Sequence, residues 1–309
     1  MQNNIILSIC IPTYNRANYL KTTILSIVNQ HRFKDSYDVE IIICDNCSED
    51  DTKHVCLSFV EIYGVKLRYY RNEINIKDSN FEKVLSYGKG SFLKLNNDTL
   101  IHQEGSLDEL IKTINENNQN ILFFSNGVLK ENELIYCENF NFFIKKASYF
   151  TTWIGAFGIW KQDFELIKDF NRYSSLQLVQ TDVLFRLFKL KKAALINNKK
   201  LFISYSPPKK GGYDLITVFL DNYIFLLYEQ VKLGLLTTKV FRDDKKKLLY
   251  YHICPWYVNI KIDPNQFTFT LNDFYSKIYL YYKKDLITIF TFIFKCNLMF
   301  IRQYIKKFE

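Results

Sequence analysis

The run Leu7-Ser-Ile-Cys-Ile-Pro-Thr-Tyr-Asn-Arg16 constrains the fold more than any other stretch of the chain. A short apolar strand ends at Pro12, a polar turn follows, and helical spacing of Leu20, Ile24, Ile27 and Val28 predicts a helix directly after it. A second strand over residues 39–44 ends in the acidic turn Asp45-Asn-Cys-Ser-Glu-Asp-Asp-Thr52. Strands of one open α/β sheet that each deliver polar side chains at their C-terminal ends build a crevice for a ligand, commonly a nucleotide.

The alternation continues. Asp50, Asp51 and Thr52 suit a helix start, and Val55, Phe59 and Ile62 give that helix a buried stripe. A strand at 66–70, a polar loop at 71–80, a helix at 81–87 ended by Gly88 and Gly90, and a strand at 91–95 follow, so the sheet is expected to be mostly parallel. From about residue 121 the pattern is less regular: a strand-like stretch at 122–129, an aromatic segment at 140–150, and Trp153-Ile-Gly-Ala-Phe-Gly-Ile-Trp160. Asp182 opens a helical pattern with Val183, Leu184, Leu187 and Phe188, and a strand over 193–205 is expected next. Pro207-Pro-Lys-Lys-Gly-Gly-Tyr213 is either a hinge loop or a linker. Beyond it, residues 216–235 and 240–253 read as helices, and 274–308 mixes apolar with basic residues. The uncharged run 286–294 is shorter than the about 20 residues that span a bilayer. An interfacial amphipathic helix and packing against the preceding domain both fit that segment.

Four runs, in order, resemble the motifs of the inverting glycosyltransferases of family 2, which have the GT-A fold. Pro12-Thr-Tyr-Asn-Arg16 resembles the first nucleotide-contacting turn, and Asp45-Asn-Cys-Ser-Glu-Asp-Asp-Thr52 the second, whose leading aspartate holds the base. Gly90-Ser-Phe-Leu-Lys-Leu-Asn-Asn-Asp98-Thr-Leu-Ile resembles the strand that ends in the family's Asp-X-Asp element, and Gln180-Thr-Asp182 stands in the place of its catalytic aspartate. Any one motif is weak evidence; four in order are specific. The likeness covers roughly the first two thirds of the chain and implies an α/β GT-A domain, a Rossmann-like sheet flanked by helices, over residues 1–213. Its nucleotide-binding half would be 1–100 and its acceptor half 101–213, with a mainly helical C-terminal region at 214–309. The implied enzyme is a hexosyl- or acetamidohexosyltransferase. It would move a sugar from a nucleoside diphosphate sugar, expected to be a UDP-sugar, to a hydroxyl of a growing bacterial surface glycan (capsule, lipooligosaccharide or O-antigen), with inversion. The acceptor would be a glycan or a lipid-linked glycan.

Such a transfer needs a grip on the nucleotide, neutralisation of the departing diphosphate, and a base. Asp45 can accept a hydrogen bond from a nucleobase N–H and Tyr14 can offer its ring, although Asp45 also fits a cap on the next helix. Pro12, Arg16, Lys77 and Asn97 complete the expected nucleotide-binding set. Asp98 is the expected ligand for Mn²⁺ or Mg²⁺, ions that prefer carboxylate, water and phosphate oxygens. Where relatives carry two or three acidic residues, Asn96-Asn97-Asp98-Thr99 supplies one, so the ion would be loosely held until the donor adds phosphate oxygens. Lys209, Lys210 and Gly155 are candidates for diphosphate or sugar contact. Solvated loop charges and a tightly packed strand are the alternatives. Asp182 is the expected general base, in a position that the helix macrodipole alone would also favour. Asp163 and Asp214 are the next carboxylates to test.

Composition narrows the rivals. An apolar fraction of 48% is ample for a core, and the net charge of +9 points to an acidic partner: nucleic acid, an anionic membrane surface or a nucleotide-sugar diphosphate. No zinc finger, RNA-recognition signature or long Lys/Arg run supports nucleic acid. Cys44-Asp-Asn-Cys47 has no second pair or spaced His for zinc, and the seven cysteines suit a reduced, cytoplasmic setting, at the inner face of the membrane if peripheral. Residues 5–11 read as the first strand and not as a signal peptide. Two other functions compete: a non-catalytic nucleotide-sugar-binding module, favoured by the missing acidic residue beside Asp98, and a sugar nucleotidyltransferase, which would carry a Gly- and basic-rich loop after the first strand.

Overall fold

A computed structural model of the chain describes residues 5–205 and 210–305. These divide into two compact units, one within Met1–Phe143 and Phe150–Ser206, the other within Ile144–Tyr149 and Pro207–Glu309.

In the first unit, β1 (Leu7–Thr13), α1 (Ala17–Val28), a short α2 (His31–Asp35), β2 (Val39–Asp45), α3 (Thr52–Tyr63), β3 (Leu67–Arg71), α4 (Asn80–Ser86) and β4 (Phe92–Leu95) alternate as the apolar spacing predicts. Then come β5 (Leu100–His102), α5 (Ser106–Glu116), β6 (Ile121–Phe124), β7 (Leu134–Cys137), α6 (Phe140–Ala147, counted with the second unit from Ile144 on), β8 (Gly158–Trp160), α7 (Lys161–Leu166), α8 (Val179–Leu190), β9 (Ala194–Asn197) and β10 (Phe202–Ser204). The main sheet has the order β3-β2-β1-β4-β8, parallel except for β8 at its edge. A three-stranded sheet, β6-β9-β7, and the antiparallel pair β5-β10 complete the unit.

Every residue of β2, and all of β1 but Pro12, is buried. That is why the two strands read as continuous apolar runs and not as alternating ones: helices cover both faces of the sheet. α1 buries Leu20, Ile24, Ile27 and Val28 completely, each contributing about 1.5–3 kcal/mol. The polar residues inside this core are paired. Ser8 Oγ donates to Glu40 Oε1 at 2.6 Å, Arg68 donates to Glu40 Oε2 at 2.7 Å, and the amides of Lys89 and Gly90 close on Glu40 and Ser8. Only glycine fits at 90, because a Cβ there would stand 2.7 Å from the Ser8 backbone nitrogen.

Chain order creates the opening. From β1 the chain moves outward to β2 and β3, then returns to the other side of β1 as β4, so strand order reverses between β1 and β4. The pairing with β4 stops at Cys10, whereas β1 runs on to Thr13 along β2. Pro12 therefore sits past the end of β4, where its missing N–H removes no ladder bond on that side. Crevices at such reversals are where open α/β sheets hold ligands.

The second unit contains β11 (Lys210–Asp214), α9 (Ile224–Lys232), α10 (Thr238–Leu248), α11 (Cys254–Ile262), β12 (Phe267–Thr270), α12 (Phe274–Tyr282) and α13 (Leu286–Ile305), with β11 and β12 paired in parallel. The expected helix over 240–253 continues through a π-helical stretch, Leu249–Ile253, into α11, whose first turn takes Pro255. Proline is tolerated there because its missing N–H falls where the backbone is already rewound. α13 is long and apolar enough, by length and composition, to cross a membrane. The expectation of a run too short to span counted only to Lys295; the helix carries Lys295 and Arg302 within it.

Candidate active site

At the C-terminal ends of β1 and β4 lies a cleft lined by Pro12, Thr13, Tyr14, Arg16, Asn46, Asn75, Lys77, Asp78, Asn80, Phe81, Asn97, Asp98 and Ile154. It encloses about 350 Å³, the lower end of the range typical of small-molecule sites. Of the residues expected from sequence, Pro12, Tyr14, Arg16, Lys77, Asn97 and Asp98 come together here.

Two strand-end turns are joined into one wall. The Asn15 amide donates to Ser48 Oγ, the Glu49 amide to the Asn15 side chain, and the Ala17 amide to Asp50 Oδ2 at 3.0 Å. Asn15 takes a left-handed φ of 53° to make the turn, a conformation asparagine tolerates. Asp50 thus caps α1 across the sheet as well as bonding Thr52 at the start of its own helix.

Asp45 lies beneath the cleft and does not line it. It is wholly buried; Oδ1 accepts from the Ser48 amide at 2.8 Å, Oδ2 accepts from the Tyr69 hydroxyl at 2.7 Å, and Arg71 is 3.6 Å away. The neighbour Asn46 faces the cleft instead, bonded to Asn75, to the carbonyl of Lys77 and to the amide of Ile76. Sequence reasoning missed Asn46. The signal was available, since successive residues of a strand point to opposite faces. Asp78 was also missed: burial pushes its carboxyl up to about 6, with Lys77 opposing.

Asp98 is buried at the floor. Thr13 Oγ1 donates to Oδ2 at 3.0 Å and Arg16 Nη1 donates to Oδ1 at 3.0 Å. Burial raises its carboxyl above the usual carboxylate range, and Arg16 and Thr13 work against that shift. Both oxygens are thus engaged by the protein. No cluster of three His, Cys, Asp or Glu able to hold a metal exists among the described residues. A donor set of one carboxylate already paired with a guanidinium fits a divalent ion poorly. Beside it, the side-chain oxygen of Asn97 is buried with no donor among the described residues, which marks it as an acceptor awaiting one.

Gly155 is not among the lining residues but stands behind them: a Cβ there would come 3.0 Å from that Asn97 oxygen. Its carbonyl accepts at 2.7 Å from Lys94, a wholly buried lysine whose ammonium burial depresses to about 7. Lys209 lies outside the described residues, and Lys210 opens β11 in the C-terminal unit.

Asp182 occupies the first turn of α8, which begins three residues earlier than the apolar spacing suggests. Its side chain is 1% exposed, and it is held by Arg172, which reaches both carboxylate oxygens, and by Arg186 at 3.0 Å. It does not line the cleft. The connection is indirect: the turn Ser174–Leu176, just after Arg172, packs on the turn Lys77–Ser79 at the cleft rim, and Asn171 bonds Glu82 of α4. Asp163 pairs with Lys191 at 3.1 Å, and Asp214 accepts from the amides of Thr217 and Asn272, so both of these carboxylates serve local structure.

A mostly parallel sheet whose strand order reverses beside a cleft walled by amides and cations defines an α/β protein of the open-sheet class, in which ligands gather at such a point. The profile of Glycosyl transferase family 2 matches residues 8–168, more than half of the chain, and the chain belongs to that family. Among curated relatives, it is 39% identical over 88 residues to the abequosyltransferase RfbV of Salmonella typhimurium, a match covering 28% of this chain and 26% of the relative. It is 34% identical over 113 residues to the GalNAc(5)-diNAcBac-PP-undecaprenol beta-1,3-glucosyltransferase of Campylobacter jejuni, covering 36% and 35%. The chain thus spans about a quarter to a third of the length of these relatives. Among solved structures, S. aureus TarS in complex with UDP superposes with a TM-score of 0.60 at 15% identity, over 82% of this chain and 75% of that one. The Pyrobaculum calidifontis mannosyltransferase PcManGT, in complex with GDP-Man and Mn²⁺, gives 0.59 at 11% identity over 97% and 88%. At such identities the likeness establishes the fold, a mixed α/β sheet flanked by helices with a helical C-terminal segment.

Proposed function

We propose that the chain is a glycosyltransferase that binds a nucleoside diphosphate sugar in the β1/β4 cleft and passes the sugar to a hydroxyl with inversion. The observation that carries this reading is the convergence of Arg16, Lys77, Asn46 and the donorless Asn97 oxygen on one crevice at the sheet's reversal point. Tyr14, half-exposed on the wall, offers a ring to the base, and Asn46 offers an amide to its edge. Arg16 and Lys77 meet the diphosphate, whose negative charge grows as the anomeric bond breaks. TarS was solved with UDP, which favours uridine here. The Campylobacter jejuni relative is named for an undecaprenol-diphosphate-linked glycan, which supports a glycan or lipid-linked glycan acceptor here.

PcManGT holds Mn²⁺ with its donor. In this chain the charge work falls to Arg16 and Lys77, and no step is assigned to an ion.

Asp182 is proposed as the base that takes the acceptor proton, on the condition that Arg172 withdraws. Apo geometry does not by itself remove a candidate whose contacts rearrange when substrate binds, and the packing of 174–176 on the cleft-rim turn supplies a route by which donor binding would move Arg172. The test is transfer from a panel of nucleotide sugars to a hydroxyl acceptor. Donor binding by calorimetry with no turnover on any acceptor would favour the non-catalytic binding module.

A further inference from the structure

We propose that the C-terminal unit docks on an anionic lipid bilayer, with α13 lying in the plane of the membrane interface. The inference rests on α13 and the charges around it, not on the sugar-transfer reading.

α13 is apolar on two faces. The inner face is tied to its own unit along nearly its whole length: the Tyr250 hydroxyl donates to the Thr288 carbonyl, Phe292 packs on Phe274, Cys296 lies 3.1 Å from Cys254, Phe300 meets Tyr257, and Gln303 bonds Asn259. The outer face repeats at helical spacing through Ile287, Phe290, Phe294, Leu298, Ile301 and Ile305, with Ile287 79% and Phe290 69% exposed. These ties run from residue 288 to residue 303 and hold the helix against its own unit along that length. One apolar face turned outward from such a mount is the arrangement of an interfacial helix.

The surrounding charge selects the partner. Residues 207–309 carry sixteen Lys and Arg against nine Asp and Glu, so most of the chain's net charge of +9 lies in this third. At the start of α13 a groove is lined by Lys239, Arg242, Lys283 and Lys284 among others, and Tyr281 and Tyr282 form part of its wall. The side chains of those four cations are exposed and make no hydrogen bond or ion pair among the described residues. Lys245 and Lys246 on the same groove are engaged, with the Tyr281 carbonyl and with Asp285. Lys295 and Arg302 lie on the helix itself. A second copy meeting this face would bring like charges together. A bilayer of anionic lipid offers hydrocarbon to the stripe and headgroup phosphates to the lysines, which is the combination of signals that stable peripheral binding needs.

The experiment is flotation of the full chain with vesicles of phosphatidylcholine, with and without phosphatidylglycerol. The expected result is flotation with the anionic vesicles only, weakened by added salt. The double variant Lys283→Glu/Lys284→Glu should lower partitioning about 30-fold or more, and Phe290→Ser should lower it without shifting the melting temperature, because the side chain is exposed. Should Phe290→Ser fail to fold, Ile301→Ser tests the same face. Equal flotation on neutral vesicles, or none on either, overturns the proposal. So does membrane retention through alkaline carbonate extraction, which would mean a spanning helix. A dimer in light scattering that Phe290→Ser dissolves would put a second copy on the face and overturn it too.

Discussion

The guanidinium of Arg16 stands 3.0 Å from the carboxylate of Asp98, so the first polar turn delivers a fixed positive charge to the end of β4. A divalent ion bound at Asp98 would have to compete with this arginine for the same oxygen.

The two can be told apart by their substitutions. Asp98→Asn releases Arg16 towards phosphate, and UDP affinity in EDTA is expected to hold or rise. Arg16→Ala leaves a buried carboxylate facing the diphosphate and is expected to weaken UDP about 10–100-fold, the loss of a charge-assisted bond. Calorimetry with Mn²⁺ and with EDTA checks both; UDP binding by the wild type that vanishes in EDTA would return the role to a metal.

Asp45 and Asn46 are adjacent but should fail differently. Asp45→Asn breaks the bond web to Tyr69 and Ser48 and is expected to cost about 1–3 kcal/mol of stability. Asn46→Ala is expected to weaken nucleotide binding by a similar amount, and an affinity loss confined to Asp45→Asn would reverse the assignment. Urea denaturation and calorimetry on each variant separate stability from affinity.

For Asp182, the Asn variant should keep donor affinity and lower turnover by about 10²–10⁴-fold. Arg172→Lys should lower turnover less. If Asp182→Asn instead drops the melting temperature while the surviving fold transfers sugar normally, its job is to hold Arg172 and Arg186.

His102 sets an acid limit. It is buried between Asn96, Ser106 and the edge of Phe202, and burial depresses its pKa from 6.5 to about 3. The unfolded chain takes up a proton near 6.5 that the native state refuses, so stability is intact above that pH. It falls by about 1.4 kcal/mol per unit as pH drops towards 3. His102→Gln should flatten that slope in urea titrations between pH 6.5 and 4. An unchanged slope would locate the acid sensitivity elsewhere.

The first hundred residues were legible because their signals are local. Buried parallel strands announce themselves as apolar runs, and a proline at the end of one marks the turn, so β1 through β4 and six cleft residues followed from spacing and likeness. What escaped depended on distant partners. Asp45 reads as a cleft residue in sequence, but its Oδ2 is engaged by Tyr69, with Arg71 beside it, more than twenty residues on. The expected strand over 193–205 breaks into β9 and β10 because Asn198 turns away to bond Ser125, Leu129 and the carbonyls beyond it. The arginines on Asp182 have no signature in the motif that contains it.

The Asn15, Ser48, Glu49 and Asp50 bonds have a thermodynamic consequence. Two loops that would otherwise be independently mobile share one set of torsions before any ligand arrives, so association need not spend free energy ordering them. Selectivity then lies less in how the walls fold around a guest than in which guest matches walls already set, and new donor preferences would arise by changing side chains on this frame without loosening it.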